Sequence, residues 1–306
     1  MAVNLVVTVD VDNDGAAAGA TSLAWTSIEW LPALKEIFER LDVCVTWFVR
    51  ADNQLMAVYG TAAYVLLEHE ALWSRVVGPE DELGWLPHVY RWCRQTRRYV
   101  CERDPARFVD QLKAAHSDLT SQGYGFTSVR IGDGYHCNAT MQAVEDLGLR
   151  VDSTAIPGRK RGDGSRVSDW VPTPNHPYHP SRADYRVAGA TDRRELLEVP
   201  MTTVPIRAAY DRCQVYRYLN PAFHHQIFIA AIERILADRE ALQAREHVLT
   251  LILHPDEVVP RERAHALYAF SLDEVHRNIA YLRARLGELG VEQRALRMRD
   301  VREPVT

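Results

Sequence analysis

The chain has 306 residues, of which 47% are apolar and 25% charged, and its formal net charge is −5. This is the composition of a soluble globular protein with enough chain to bury a sizeable core, needing neither metal nor disulfide to hold it. The acidic balance, with no Lys/Arg-rich face against it, argues against nucleic acid or an anionic membrane as partner.

The five cysteines are scattered and form no CxxC pair, which excludes a zinc ribbon or a disulfide framework. No apolar run approaches the roughly 18 residues of a membrane span. The first residues read as a strand rather than a secretion signal, because no basic segment precedes them and a carboxylate stands at position 10. A cytoplasmic protein is the expectation.

In chain order, Val3 to Val9 is an apolar, β-branched run, as a strand buried on both faces requires. Apolar positions at Ile28, Leu31, Leu34, Ile37, Phe38 and Leu41 mark an amphipathic helix with Pro32 in its first turns. Val43 to Val49 is a second buried strand. Strand, helix and strand in succession form a βαβ unit and therefore a parallel sheet.

The alternation continues with a helix over Pro105 to Gln122, a short strand over Ser128 to Ile131 and a helix over Ala139 to Leu147 stopped by Gly148. A strand follows at Leu149 to Asp152. Residues 157–189 are rich in Pro, Gly, Arg and Asp and read as a long irregular loop, of the kind that is either functional or disordered. Leu196 to Val199 and His247 to Leu253 are further strands, and Pro221 to Arg245 and Leu272 to Leu289 are helical. No repeat or linker divides the chain, so a single α/β domain over residues 1–306 is expected.

Parallel α/β barrels gather their active groups at the carboxyl ends of strands. Here Asp10 and Asp12 follow the first strand, Arg130 and Asp133 the short strand at 128, and His254, Asp256 and Glu257 the last. Asp10 and Asp12 alternate, so in extended chain both point one way; two acids sharing a face are tolerated best when a cation bridges them or one keeps a proton. Solvated aspartates capping a strand end are the plainer alternative. His254 suits acid or base work, since its ordinary pKa is near neutral and a nearby carboxylate tunes it. The planar fork of Arg130 suits a carboxylate such as Asp10, though a structural ion pair would look the same. The paired histidines His224 and His225 read as incidental surface residues.

These residues resemble the polysaccharide deacetylase superfamily (NodB-like, carbohydrate esterase family 4). Thr8-Val9-Asp10-Val11-Asp12 resembles its first motif, Val45-Thr46-Trp47-Phe48-Val49 the strand after its first helix, and Glu82-Leu83-Gly84-Trp85-Leu86-Pro87-His88 the segment carrying its zinc histidines. Arg130-Ile131-Gly132 with Asn138 and then Val151-Asp152-Ser153 resemble its third motif. Leu197-Glu198-Val199-Pro200 and Leu253-His254-Pro255-Asp256-Glu257 resemble its closing strands.

The resemblance implies a distorted (β/α) barrel of mostly parallel strands and a metal-dependent hydrolase that removes an N-acyl, most simply N-acetyl, group from a small sugar-containing intracellular substrate. It makes Asp10 the base that activates water, Arg130 its tether and His254 the acid that protonates the leaving amine. A divalent metal, zinc in the family, would sit on Asp12 and His88. Trp85, Asp133 and Tyr178 are expected to meet the substrate; Trp85, Trp92, Trp170 and Tyr178 all read as loop residues, where aromatics either stack on a sugar ring or anchor the loop by packing.

The chain departs from the pattern in one respect. The two positions where the family places its metal histidines are Leu86 and Tyr90, and among Asp14, His136, His176 and His179 no spacing selects a third ligand. A metal-independent enzyme using Asp10, Arg130 and His254, or a ligand-binding protein without catalysis, are therefore alternatives. A homo-oligomer is compatible with all three.

Overall fold

A computed structural model describes residues 2–14, 23–162, 167–237, 247–260 and 270–303. Strand β1 (Ala2–Val11) is buried almost throughout. A short 3-10 turn leads into helix α1 (Leu31–Arg40), whose apolar stripe of Leu31, Leu34, Ile37 and Phe38 is buried against the sheet. Strand β2 (Val45–Arg50) follows, every residue buried. Three short helices, α2 (Asn53–Tyr59), α3 (Tyr64–Glu68) and α4 (Glu70–Val76), lead to β3 (Glu82–Leu86).

A hairpin of β4 (Tyr90–Cys93) and β5 (Arg98–Cys101) precedes α5 (Pro105–Ser121), β6 (Ser128–Val129), α6 (Asn138–Asp146) and β7 (Val151–Asp152). The stretch expected to be irregular holds a small hairpin, β8 (Lys160–Gly162) with β9 (Val167–Asp169). Then come β10 (Leu197–Glu198), a hairpin of β11 (Thr203–Ile206) and β12 (Val215–Tyr218), and α7 (His225–Leu236). The chain closes with β13 (His247–Leu253), α8 (Pro255–Val258), α9 (Leu272–Glu288) and β14 (Glu292–Ala295). The helix expected over Pro221 to Arg245 begins at His225, and its predicted end lies outside the described residues.

The main sheet runs β10-β7-β6-β3-β2-β1-β13, with β14 also on β1, and every pairing within it is parallel. Its two faces do different work, because side chains alternate along a strand. On β1, Val3, Leu5, Val7 and Val9 join the large core beneath the helices. Val6, on the other face, joins a smaller inner cluster with Phe48, Leu86, Val151, Leu197 and Val248. The positions that continue this inner face toward the carboxyl ends of the strands are Thr8 and Asp10 on β1, Arg50 on β2 and Ile252 then His254 on β13. The curl of the sheet therefore has an apolar floor and a polar rim. No described helix is long and apolar enough to cross a membrane.

Candidate active site

At that rim lies a cavity of about 260 Å³, lined at its base by Asp10, Asp12, Leu86, His88, Arg130 and His254. Arg130, 1% exposed, is built in from three sides. Its Nε donates to the Ser153 carbonyl at 2.8 Å and its Nη2 to the Ser153 hydroxyl at 2.8 Å. Its Nη1 donates to Thr8 Oγ1 at 2.8 Å and to Asp10 Oδ1 at 2.5 Å. The guanidinium also lies 4.4 Å above the Phe48 ring. Phe48 in turn occupies the space a side chain on Gly84 would need, since a Cβ there would fall 2.5 Å from the ring. Arg130 thus meets Asp10 through one bond rather than a two-pronged fork, and its other donors fix the strand ends to one another.

The second oxygen of Asp10 faces His254, whose Nε2 is 3.9 Å away. That is too far for a hydrogen bond, yet it lets both groups reach one atom placed between them. Behind His254, Glu257 accepts the His254 backbone N–H at 2.8 Å and lies 3.7 Å from the ring Nδ1. Asn220 holds the same Glu257 oxygen at 2.8 Å. Burial pulls the His254 pKa down, but Glu257 and the charges of Asp10 and Asp256 outweigh it and raise it to about 9. The same partnership holds Glu257 below its usual range against the opposing effect of its own burial.

On the other side of the cavity, Asp12 Oδ2 pairs with His88 Nε2 at 3.0 Å and Asp12 Oδ1 with Arg50 Nη1 at 3.0 Å. Burial opposes the Asp12 charge, but these two neighbours hold its carboxyl far below the ordinary range. His88 is shifted up: burial acts against its charge, and the charge and hydrogen bond of Asp12 prevail. Gly132 makes room for the imidazole, because a Cβ at that position would fall 2.3 Å from the ring. Asp133 adopts a left-handed backbone (φ 60°) and accepts the Tyr90 hydroxyl at 3.0 Å, 4.0 Å from His88 Nδ1.

Arg50 is the residue that sequence reasoning missed. It ends β2, is 2% exposed, and is saturated by Asp12, Asn13, Asp52 (Nε to Oδ2, 2.7 Å) and Gln54 (2.7 Å). The signal was a charged residue directly abutting an apolar strand, Val45 to Val49, before an acid at Asp52.

Asp10, Asp12, His88, Arg130, Asp133 and His254, all expected at the site, come together around the cavity. Trp85 and Tyr178 do not, and their expected stacking on a substrate is corrected here. Trp85 is an inner strand residue with no exposure, its Nε1 donating to the Ala51 carbonyl at 2.7 Å. Tyr178 is equally buried and donates to the Tyr185 carbonyl at 3.1 Å. The aromatic groups that do line the cavity are Trp170 and Tyr218.

The donor set does not fit a catalytic zinc, which takes three protein ligands and keeps a position open. Asp12 and His88 supply two. Leu86 faces the cavity where a third would stand, in register with Arg50, and the Arg50 guanidinium engages one Asp12 oxygen. Among the described residues no group of three His, Cys, Asp or Glu side chains is gathered for a metal. The other candidates are engaged elsewhere: His136 with buried Asp152 at 2.7 Å, Asp14 with Thr26 and the Ser27 N–H, His176 with the Pro177 carbonyl and His179 with the Leu196 carbonyl.

Strand order, inner floor and rim define a parallel, curled α/β sheet carrying its polar site at the carboxyl edge. The sequence matches no family model and no curated protein. Among solved structures, a protein assigned by inference as a glycoside hydrolase/deacetylase, from Parabacteroides distasonis, aligns with 98% of this chain and 69% of its own at a TM-score of 0.64 and 13% identity. PuuE allantoinase aligns with 92% of this chain and 84% of its own (TM-score 0.48, 13% identity). An inferred polysaccharide deacetylase from Mycobacterium smegmatis covers 96% and 93% (TM-score 0.46, 15% identity). The chain shares its fold with that glycoside hydrolase/deacetylase, the distorted, mostly parallel (β/α) barrel expected from the sequence.

Proposed function

We propose that this protein hydrolyses an N-acyl amide, most simply N-acetyl, on a small sugar-containing molecule. The observation that carries the reading is the placement of Asp10 and His254 on one face of the cavity, with one Asp10 oxygen tied to Arg130 and the other turned toward the imidazole. Asp10 would take the proton of a water molecule as its oxygen attacks the amide carbon. His254, protonated at neutral pH by its Glu257 partnership, would hand a proton to the nitrogen as the C–N bond breaks. Water and amide are consumed; a carboxylic acid and an amine leave.

Arg130 acts by position, holding Asp10 in one rotamer. In the family a metal polarises the amide carbonyl. Here the donors fall one short of a catalytic metal site. The buried Arg50 cation beside Asp12 favours a reaction that runs without a metal, since it already balances the carboxylate that a metal would need.

The test is release of free amine from a panel of N-acetylated amino sugars by the full chain, with and without a chelator. Turnover that survives chelation and falls at least about a hundredfold in both Asp10→Asn and His254→Ala is the expected result. Turnover abolished by chelation and restored by zinc would refute the metal-free route and leave the hydrolase standing. Binding without any amine release would mark a ligand-binding protein.

A further inference from the structure

The cavity is electrically lopsided. Its lining carries Asp10, Asp12 and Asp133 at the strand ends, and in its wall Arg159 and Arg161 from the start of the β8–β9 hairpin. The base acids are engaged by Arg130, Arg50, His88 and Tyr90. The two wall arginines have no carboxylate partner among the described residues. Across the hairpin, Asp169 is taken by Lys160 at 2.8 Å and Arg186 at 3.7 Å, and Asp211 is taken by Arg217 at 2.7 Å.

Arg159 is half-buried and rests 5.9 Å from the centre of the Tyr218 ring. Burial works against its charge, and so do the guanidiniums of Arg161 and Arg217. Arg159 and Tyr218 also line a second cavity of about 450 Å³, where the Nε of Arg217 is buried with no hydrogen-bond partner. In a chain of net charge −5, Arg159 lines both cavities, Arg161 the first and Arg217 the second, where Arg217 pairs with Asp211 but leaves its Nε unused.

We infer that this wall is a subsite for an oxyanion, phosphate or carboxylate, borne by the same molecule whose amide lies at the base. Guanidiniums that line a cavity without a carboxylate partner, here half-buried Arg159 and exposed Arg161, recognise such oxyanions through paired N–H donors in a planar fork. The adjoining cavity gives the rest of an anionic substrate somewhere to extend. The inference rests on the proposed N-acyl hydrolase for the identity of the sugar, but the anion site is read by binding and not by turnover.

The experiment compares N-acetylglucosamine, its 1-phosphate and 6-phosphate, and the carboxylate-bearing N-acetylmuramic acid. Affinity is read from intrinsic tryptophan fluorescence, to which Trp170 in the cavity wall contributes, and amine release is followed separately. At least one anionic sugar should bind about tenfold or more tightly than the neutral one, a difference of about 1.4 kcal/mol. Which sugar does so separates phosphate from carboxylate. The double variant Arg159→Met, Arg161→Met should bring anionic and neutral sugars within about twofold of each other, and Arg159→Lys should keep part of the preference. Thermal melting of each variant establishes that it is folded. Equal affinity for neutral and anionic sugars, or a preference that persists in the folded double variant, overturns the inference. Anion preference without amine release would count against the hydrolase alone.

Discussion

At the scale of single residues, the site works through paired charges whose partners set their protonation. His254 is lifted to about 9 mainly because Glu257 outweighs the cost of burial, and its ring is about one-third open to the cavity. The stability this pairing contributes is complete below the ordinary histidine pKa and disappears as pH rises through about 9. Removing the carboxylate charge should therefore let the His254 pKa fall. An NMR titration of the imidazole is expected to place it near 9 in the natural chain and clearly lower in Glu257→Gln, and an unchanged midpoint would sink the assignment.

The metal question also belongs to this scale. Leu86→His places a third donor beside Asp12 and His88, and elemental analysis after zinc exposure should find more bound zinc in that variant than in the natural chain. Equal, near-stoichiometric zinc in both would mean that two side chains hold the ion after all. Asp10, Asp12, Arg130 and His254 stood out as candidates because each lies at the end of a strand read from the sequence, and His88 because of the resemblance carried by Glu82 to His88. Arg50 was not, because its burial depends on four partners, and two of these, Asp12 and Asn13, come from a different strand end. Trp85 misled because a loop seemed to hold it; the strand that contains it was not evident.

At the scale of elements, one side chain ties the site together. Asp52 caps α2 by accepting the N–H groups of Gln54 at 2.9 Å and Leu55 at 3.0 Å. Its other oxygen takes the Arg50 bond and the His88 N–H at 3.2 Å. Asp52→Ala removes a helix cap and leaves a buried guanidinium short of a partner, so a loss of about 3–5 kcal/mol in urea unfolding is expected. A loss below about 1 kcal/mol would mean that the cluster rearranges freely.

The elements themselves were unevenly readable. Strands β1, β2 and β13 are buried on both faces and announce themselves as apolar runs. Strand β3 does not, since it opens with Glu82, a buried acid satisfied by Ser128 at 2.6 Å, Thr46 at 3.2 Å and the Arg299 N–H at 2.9 Å. Strand β14 reads Glu-Gln-Arg-Ala and exists because β1 offers it a partner. In both, tertiary pairing overrides local preference.

At the scale of the whole molecule, the loop that brings Asn220 to Glu257 is fastened to the outer helices. Asn278, fully buried on α9, donates to the carbonyls of Pro221 at 2.8 Å and Phe223 at 2.7 Å, and its oxygen meets His225 Nδ1 at 2.6 Å. Asn278→Leu strands those groups in the interior and should cost about 2–3 kcal/mol, measured by denaturant unfolding. If the loop is what positions Glu257, the same variant should also lower the His254 midpoint.

Strand β1 is the sheet's meeting point. It pairs with β2 early in the chain, but Val3 waits for His247 and Ala2 for Glu292. During synthesis, therefore, Asp10 emerges from the ribosome long before His254. The acid and the imidazole cannot act together on a nascent chain, and the first strand keeps an open edge until the last strands dock. Contacts of such long sequence separation form slowly. In the crowded setting of translation, that exposed edge, rather than the finished barrel, is where association with a chaperone or with another nascent copy would begin.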